Sequence, residues 1–492
     1  MKIQSGKICA IAIAFSVMAG VWTAFCTEVK GQFLVKVIVS YQEYDSRLPW
    51  RQLAPGRRSG YGIMLSGGRF LTTERLVRNH TLVQIQKPGS GVKVRAMVEI
   101  ADWQLDLALL RTDEEGAISG LMPVELATSV VSRASVKVVQ CDESDQPQVT
   151  DAEVVRIAVD QLPDVPASSL IFDVLTTVNV NGESAAVLHE NKLAGVFISY
   201  DTNTRTGKML PYCVLKRFLD DADNQPYEGV ASAGFLWSPL VDPVKRRFLG
   251  VKEPEAGIIV LSCVPYSGAA EVLKSGDVIL EWDGHSIDNL GYYKDEQFGK
   301  LAFSYLTQSK RPGEKVDATI IRDKETKKVS VPLSHIDDQH ALVPEGINEG
   351  QVEYLVEGGM VLRELTGYYL KAYGNWERNA DSRLVHLYRR RKYAIEKPGD
   401  RVVILSLVLP DAINIGYQSF RDEIVTAVNG KPVRNMADVF RIVDNDGGLH
   451  RLTLKDSAVD LILDLAEMQS ANARLQKVYQ IPSLRYQKQQ SK

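Results

Sequence analysis

A strand-and-turn unit that occurs twice places the tightest constraint on the C-terminal half of this 492-residue chain. In its first copy, Gly276-Asp277-Val278-Ile279-Leu280-Glu281-Trp282-Asp283-Gly284, Gly-Asp leads into an apolar strand and Asp-Gly turns the chain back. The second copy runs from Asp422-Glu423-Ile424-Val425 to Val428-Asn429-Gly430-Lys431-Pro432-Val433. After the first, Phe298, Leu301, Ala302, Tyr305 and Leu306 recur at helical spacing and predict an amphipathic helix. After the second, Asn435 is placed to cap a helix through Asp438, Val439, Phe440, Ile442 and Val443. Two successive α+β units are therefore expected. A polar linker, Asp220 to Pro226 followed by small residues from Gly229 to Gly234, separates them from what precedes. The length fits about three domains, because a single hydrophobic core stops growing well before 492 residues.

Upstream of the linker the pattern is that of β-hairpins. Gly60-Tyr61-Gly62-Ile63-Met64-Leu65, a Gly67-Gly68 turn and Arg69-Phe70-Leu71 alternate apolar with small residues. Lys2 and Lys7 precede an apolar run from Ile8 to Phe25, so residues 1–26 read as a signal peptide or N-terminal anchor. The bulk of the chain is then expected in the periplasm or another extracytoplasmic space. A net charge of −3 argues against a nucleic-acid partner. Of five cysteines, Cys9 and Cys26 fall in the leader, which leaves Cys141, Cys213 and Cys263: too few for a disulfide framework. No cysteine or histidine pair has the spacing of metal ligands, and no metal or cofactor is expected.

Several stretches, in order, carry a resemblance that covers nearly the whole chain. Phe70-Leu71-Thr72-Thr73-Glu74-Arg75-Leu76-Val77 resembles the segment that bears the catalytic histidine of HtrA/Deg serine proteases, with Arg75 in the histidine's place. Asp106-Leu107-Ala108-Leu109-Leu110 resembles the segment of the triad aspartate. Asn181-Gly182-Glu183-Ser184-Ala185-Ala186-Val187 stands where the family has its nucleophile loop. The resemblance implies a mostly β chain: a two-barrel trypsin-like (chymotrypsin-fold) domain over residues 30–220, then a linker at 221–234. A PDZ domain at 235–335, a divergent second one at 345–470 and a C-terminal tail at 471–492 would follow. It also implies roles, with Ser184 at the nucleophile position, Asp106 at the triad aspartate and Gly182 at the oxyanion hole. In the first PDZ domain, Phe248-Leu249-Gly250-Val251 resembles the loop that receives a peptide's C-terminus, and Gly358-Gly359 resembles a second such loop.

Arginine stays protonated at physiological pH and cannot take a proton from a serine hydroxyl. Loss of the base costs such a triad about a million-fold in turnover. In place of catalysis, an ion pair between Arg75 and Asp106 is predicted. The expected function is that of an exported pseudoprotease, a chaperone or scaffold binding unfolded proteins or C-terminal peptides. The alternative is an active endopeptidase that uses Ser184 with another base, His80 and His189 being nearest in sequence. The family implies a homo-oligomer such as a trimer, or a hetero-oligomer with an active paralogue. Arg389-Arg390-Arg391-Lys392 is read as a solvated basic face, and the tail from Tyr486 as unfolded.

Overall fold

The computed structural model describes residues 31–180, 183–347 and 350–488. The expected leader and Gly182 lie outside the described residues. Two six-stranded closed barrels come first. Strands β1 (Leu34–Tyr41), β2 (Gly56–Met64), β3 (Arg69–Thr72), β4 (His80–Gln86), β5 (Lys93–Asp102) and β6 (Leu107–Arg111) close in the order β1-β2-β3-β6-β5-β4. A one-turn helix, α1 (Glu74–Val77), links β3 to β4. The second barrel uses β7 (Ser135–Cys141), β8 (Pro147–Gln161), β9 (Ser168–Thr176), β10 (Ala186–His189), β11 (Lys192–Asp201) and β12 (Thr206–Pro211), with helix α2 (Tyr212–Ala222) closing it. Alternation drives both barrels: along β5, Val94, Ala96 and Asp102 are buried while Lys93, Arg95 and Met97 face water.

Beyond the linker, β13 (Ala231–Ser232) pairs with β22 (Ser334–His335) to tie the ends of the first α+β unit. Its sheet runs β14 (Phe235–Pro239), β15 (Ile258–Cys263), β16 (Val278–Trp282), β20 (Lys315–Arg322), β21 (Glu325–Pro332), with β17 (His285–Ser286) on β16. Helices α3 (Pro243–Leu249), α4 (Gly268–Val272) and α5 (Ser304–Gln308) flank it. The helix predicted over Phe298 to Leu306 is largely a hairpin, β18 (Tyr292–Asp295) with β19 (Gly299–Ala302), and only its last residues enter α5. The Asp295 carboxylate accepts from the amides of Gln297 and Phe298, and Gly299 takes φ +80, which stops a helix from starting there. Phe298 still meets Tyr305 and Phe172, so the apolar cluster is formed by two elements rather than one.

The second unit repeats this topology. Strands β24 (Met360–Glu364), β25 (Val403–Val408), β26 (Glu423–Val428) and β28 (Arg451–Leu454) follow the order of β14, β15, β16 and β20, with β27 (Lys431–Pro432) on β26 as β17 is on β16. Strand β29 (Leu461–Ile462) closes one edge, while β23 (Tyr354–Glu357) and then β30 (Arg485–Tyr486) close the other. Helices α6 (Gly367–Lys371), α7 (Trp376–Asn379) and α8 (Ser382–Arg390) form an inserted layer, and α9 (Met436–Asp446) and α10 (Leu465–Tyr479) cover the sheet. The Asn435 side chain caps α9, accepting from the Asp438 amide.

Helix α10 crosses residue 470, where the sequence reading ends the second unit, and Tyr486 lies in β30 rather than in an unfolded tail. Gly358-Gly359 is the turn between β23 and β24: the Gly358 amide donates to Asn472 and its carbonyl accepts from Asn414, so this loop is occupied by the chain itself. Arg389 pairs with Glu377 and stacks on Trp376, and Lys392 joins the buried Glu345, which leaves less of the basic run solvated than its composition implies.

Candidate functional site

The contact between the barrels is built by three turns. Strand β3 ends at Thr72, and Thr73 precedes the one-turn helix α1, which carries Arg75. Asp106 lies in the turn from β5 to β6, at φ +55. Ser184 precedes β10 at φ +65, a left-handed conformation held by its surroundings, and is fully buried. The β2 strand passes so close that the Tyr61 amide donates to the Glu183 carbonyl at 2.8 Å. A Cβ on Gly60 would sit 2.7 Å from that oxygen, so only glycine fits.

Arg75 is held by an ion pair with Asp106. Its Nε donates to Asp106 Oδ2 at 2.8 Å, its Nη2 to the same oxygen at 2.5 Å, and its own amide to Oδ1 at 3.0 Å. Burial pushes the Asp106 carboxyl up, against the pull of the Arg75 guanidinium. For Arg75, burial works to lower its pKa, yet the Asp106 carboxylate raises it overall, so the guanidinium stays charged. Asp164, in the β8–β9 turn, lies 3.7 Å from Arg75 Nη1.

Ser184 is held by threonines. Its Oγ accepts from the Thr73 amide at 2.8 Å and lies 3.1 Å from both Thr72 Oγ1 and Thr73 Oγ1. Thr72 spends its proton on the Tyr61 carbonyl and Thr73 spends its own on Glu183, so both hydroxyls are acceptors for the single Ser184 proton. The Ser184 amide donates to Phe197 O within the sheet, which removes it as an oxyanion donor. The histidines are engaged elsewhere: His80 Nδ1 contacts Val77 O and His189 Nδ1 contacts Ser135 O. Sequence reasoning missed Thr72, Thr73 and Glu183 as the partners of Ser184. The paired hydroxyls of Thr72-Thr73 directly before Arg75 were the available signal.

The expected peptide loop is a correction. Phe248 and Leu249 end helix α3, started by the Asp242 cap and Pro243 and stopped by Gly250 at φ +87. Phe248 is 72 % exposed and Val251 packs below the sheet with Leu240 and Leu280. The strand that follows, β15, is paired on both sides and cannot accept a further strand. The open edge belongs to β14, one strand away. Between it and α5 runs a groove of about 270 Å³ lined by Phe235, Leu236, Trp237, Phe303, Thr307 and Gln308. Ala167 and Ser168 of the barrel form its far wall, and Gln308 Nε2 donates to Ser168 O at 2.7 Å.

Two closed barrels followed by α+β units define a trypsin-like double-barrel fold with an appended PDZ domain. Residues 343–487 match the PDZ_3 family, a PDZ domain. The chain is 29 % identical over 459 residues to the chloroplastic protease Do-like 2 of Arabidopsis thaliana, covering 92 % of this chain and 74 % of that one. It is 26 % identical to the putative mitochondrial protease Do-like 3 of the same plant, over 88 % of this chain and 76 % of that one. A solved variant of AlgW, an HtrA-type protease with a decapeptide, shares the fold at TM-score 0.51 and 16 % identity, over 63 % of this chain and 96 % of that one. In sequence and fold the chain is similar to HtrA/Deg-type trypsin-like serine proteases with a PDZ domain.

Proposed function

We propose that this HtrA/Deg-type chain is a pseudoprotease that binds extended segments of unfolded proteins or protein C-termini as a chaperone or scaffold. The observation that carries the reading is the pairing of Arg75 with Asp106 beside a Ser184 hydroxyl enclosed by Thr72 and Thr73. A serine without an adjacent base is a weak nucleophile. Peptide capture falls to the β14 edge, where main-chain bonds would supply affinity and the aromatic floor of Phe235, Trp237 and Phe303 would select side chains. AlgW, which shares the fold, is an HtrA-type protease solved with a decapeptide. We place the protein outside the cytoplasm on the basis of its leader-like residues 1–26, and assembly into an oligomer accords with its family.

Reduced, carboxymethylated casein fragments labelled with fluorescein test this reading by anisotropy. The wild-type chain is expected to bind them without cleaving them, Leu236→Arg is expected to weaken binding at least tenfold, and Phe248→Ala is expected to leave it unchanged. Binding that follows Phe248 and ignores Leu236 contradicts the placement of the groove.

A further inference from the structure

The two α+β units share a topology but differ at one edge. In the first, β14 is open. In the second, the equivalent β24 is covered along four residue pairs by β23, and Leu355 of β23 enters the core beside Phe440 and Val443 of α9. The outer edge of β23 is a fresh edge over the same helix, and the C-terminal segment lies on it. Only two residue pairs join them, Tyr354 with Tyr486 and Leu355 with Arg485. Side chains make up the difference. The Arg485 guanidinium lies 4.9 Å over the Phe440 ring and donates to Asp444 at 2.6 Å, both on α9, while the Tyr486 ring stacks on Tyr354 at 6.5 Å. The Val356 amide donates to Leu484 O, and the Lys488 amide donates to Glu353.

We propose that the outer edge of β23 is a second peptide-docking site, for extended segments in which an arginine precedes an aromatic residue, and that residues 482–488 occupy it in cis as a detachable strand. The chain's own segment shows the chemistry that fits: backbone pairing to Tyr354 and Leu355, a cation received by Phe440 and Asp444, and an aromatic ring laid on Tyr354. The site is separate from the β14 groove and does not depend on the state of Ser184. Detachability follows from the length of the contact, since Ile481 is buried and anchors the chain while, of residues 483–488, only Leu484 and Tyr486 are partly buried, against the cluster of Trp50, Tyr354 and Val356, and the others are exposed. A tethered strand competes at an effective concentration on the order of millimolar, so a free peptide enters only when the tail is loosened.

The test uses full-length chains and a fluorescein-labelled peptide with the sequence of Pro482 to Lys488. The wild-type chain is expected to show no saturable binding, and the double variant Arg485→Glu with Tyr486→Ala to bind at least tenfold more tightly. Adding Asp444→Arg should abolish that binding, whereas adding Leu236→Arg should leave it intact. In the double variant the Val356 amide should exchange with solvent at least tenfold faster, with amides of β25 unchanged, which also certifies that the fold is kept. Equal binding by wild type and double variant, or a double variant with fast Val356 exchange and no binding, overturns the proposal. So does loss of binding through Leu236→Arg, which would place the peptide in the first groove.

Discussion

Arg75 and Ser184 decide the chemistry through what surrounds them. With 1 % of the Asp106 side chain exposed, its carboxylate depends on Arg75 for compensation, and removing one member of a buried pair costs about 3 kcal/mol or more. Arg75→Ala should destabilise the chain by about that amount in urea unfolding. The sign with pH follows from Asp106: burial raises its pKa, and loss of the cation raises it further, so the penalty should be smaller at pH 4 than at pH 7. A penalty that grows toward acid would contradict this. The Arg75 contact was legible from the sequence because one substitution in an otherwise matching segment names both partners. The threonine cage was not, because it depends on the approach of Glu183 to β2 across 110 residues or more, which no local pattern encodes.

At the scale of elements, helices and strands were legible where caps and turns agree with the apolar pattern, as at Asn435 and α9. They were misread where two elements pool their apolar residues, as with the β18–β19 hairpin and α5, or where a strand edge has to be known, as with β14 and β15. The inserted layer of the second unit illustrates a polar clasp. Glu345 is fully buried, and the Lys371 and Lys392 ammoniums and the Tyr388 hydroxyl converge on it. Burial pushes its carboxyl up, yet Lys392 and Lys371 outweigh this and hold it below the ordinary range. Its contribution to stability is therefore present above the unfolded value of about 4.3 and lost as pH falls through the lowered folded value. Glu345→Gln should lower the unfolding temperature clearly at pH 7 and hardly at pH 3. An equal loss at both values would show that the charge is immaterial.

Over the whole molecule, the loop between β1 and β2 joins the first barrel to the second unit. Trp50 lies against Tyr354, Arg363 donates to Ser46 O, and Arg47 stacks over Tyr373. This contact brings sequence positions some 300 residues apart together, and the sequence offered no sign of it. Trp50 is buried in a small apolar cluster with Val356, Leu409 and Leu475, and truncating such a residue costs about 3 kcal/mol. Trp50→Ala should release the second unit from the barrel, which would appear as a larger radius of gyration by small-angle scattering and a new protease-sensitive site near residues 336–345. An unchanged radius would mean that the remaining contacts suffice.

The central claim, that the Ser184 site between the barrels is a closed structural site, is tested most directly by casein cleavage with the purified chain beside its Ser184→Ala and Arg75→His variants, together with labelling by a fluorophosphonate serine probe. No cleavage and no labelling in any of the three is the predicted result, because a histidine at position 75 would still face a Ser184 hydroxyl enclosed by Thr72 and Thr73. Cleavage or labelling by the wild-type chain that disappears in Ser184→Ala would contradict it.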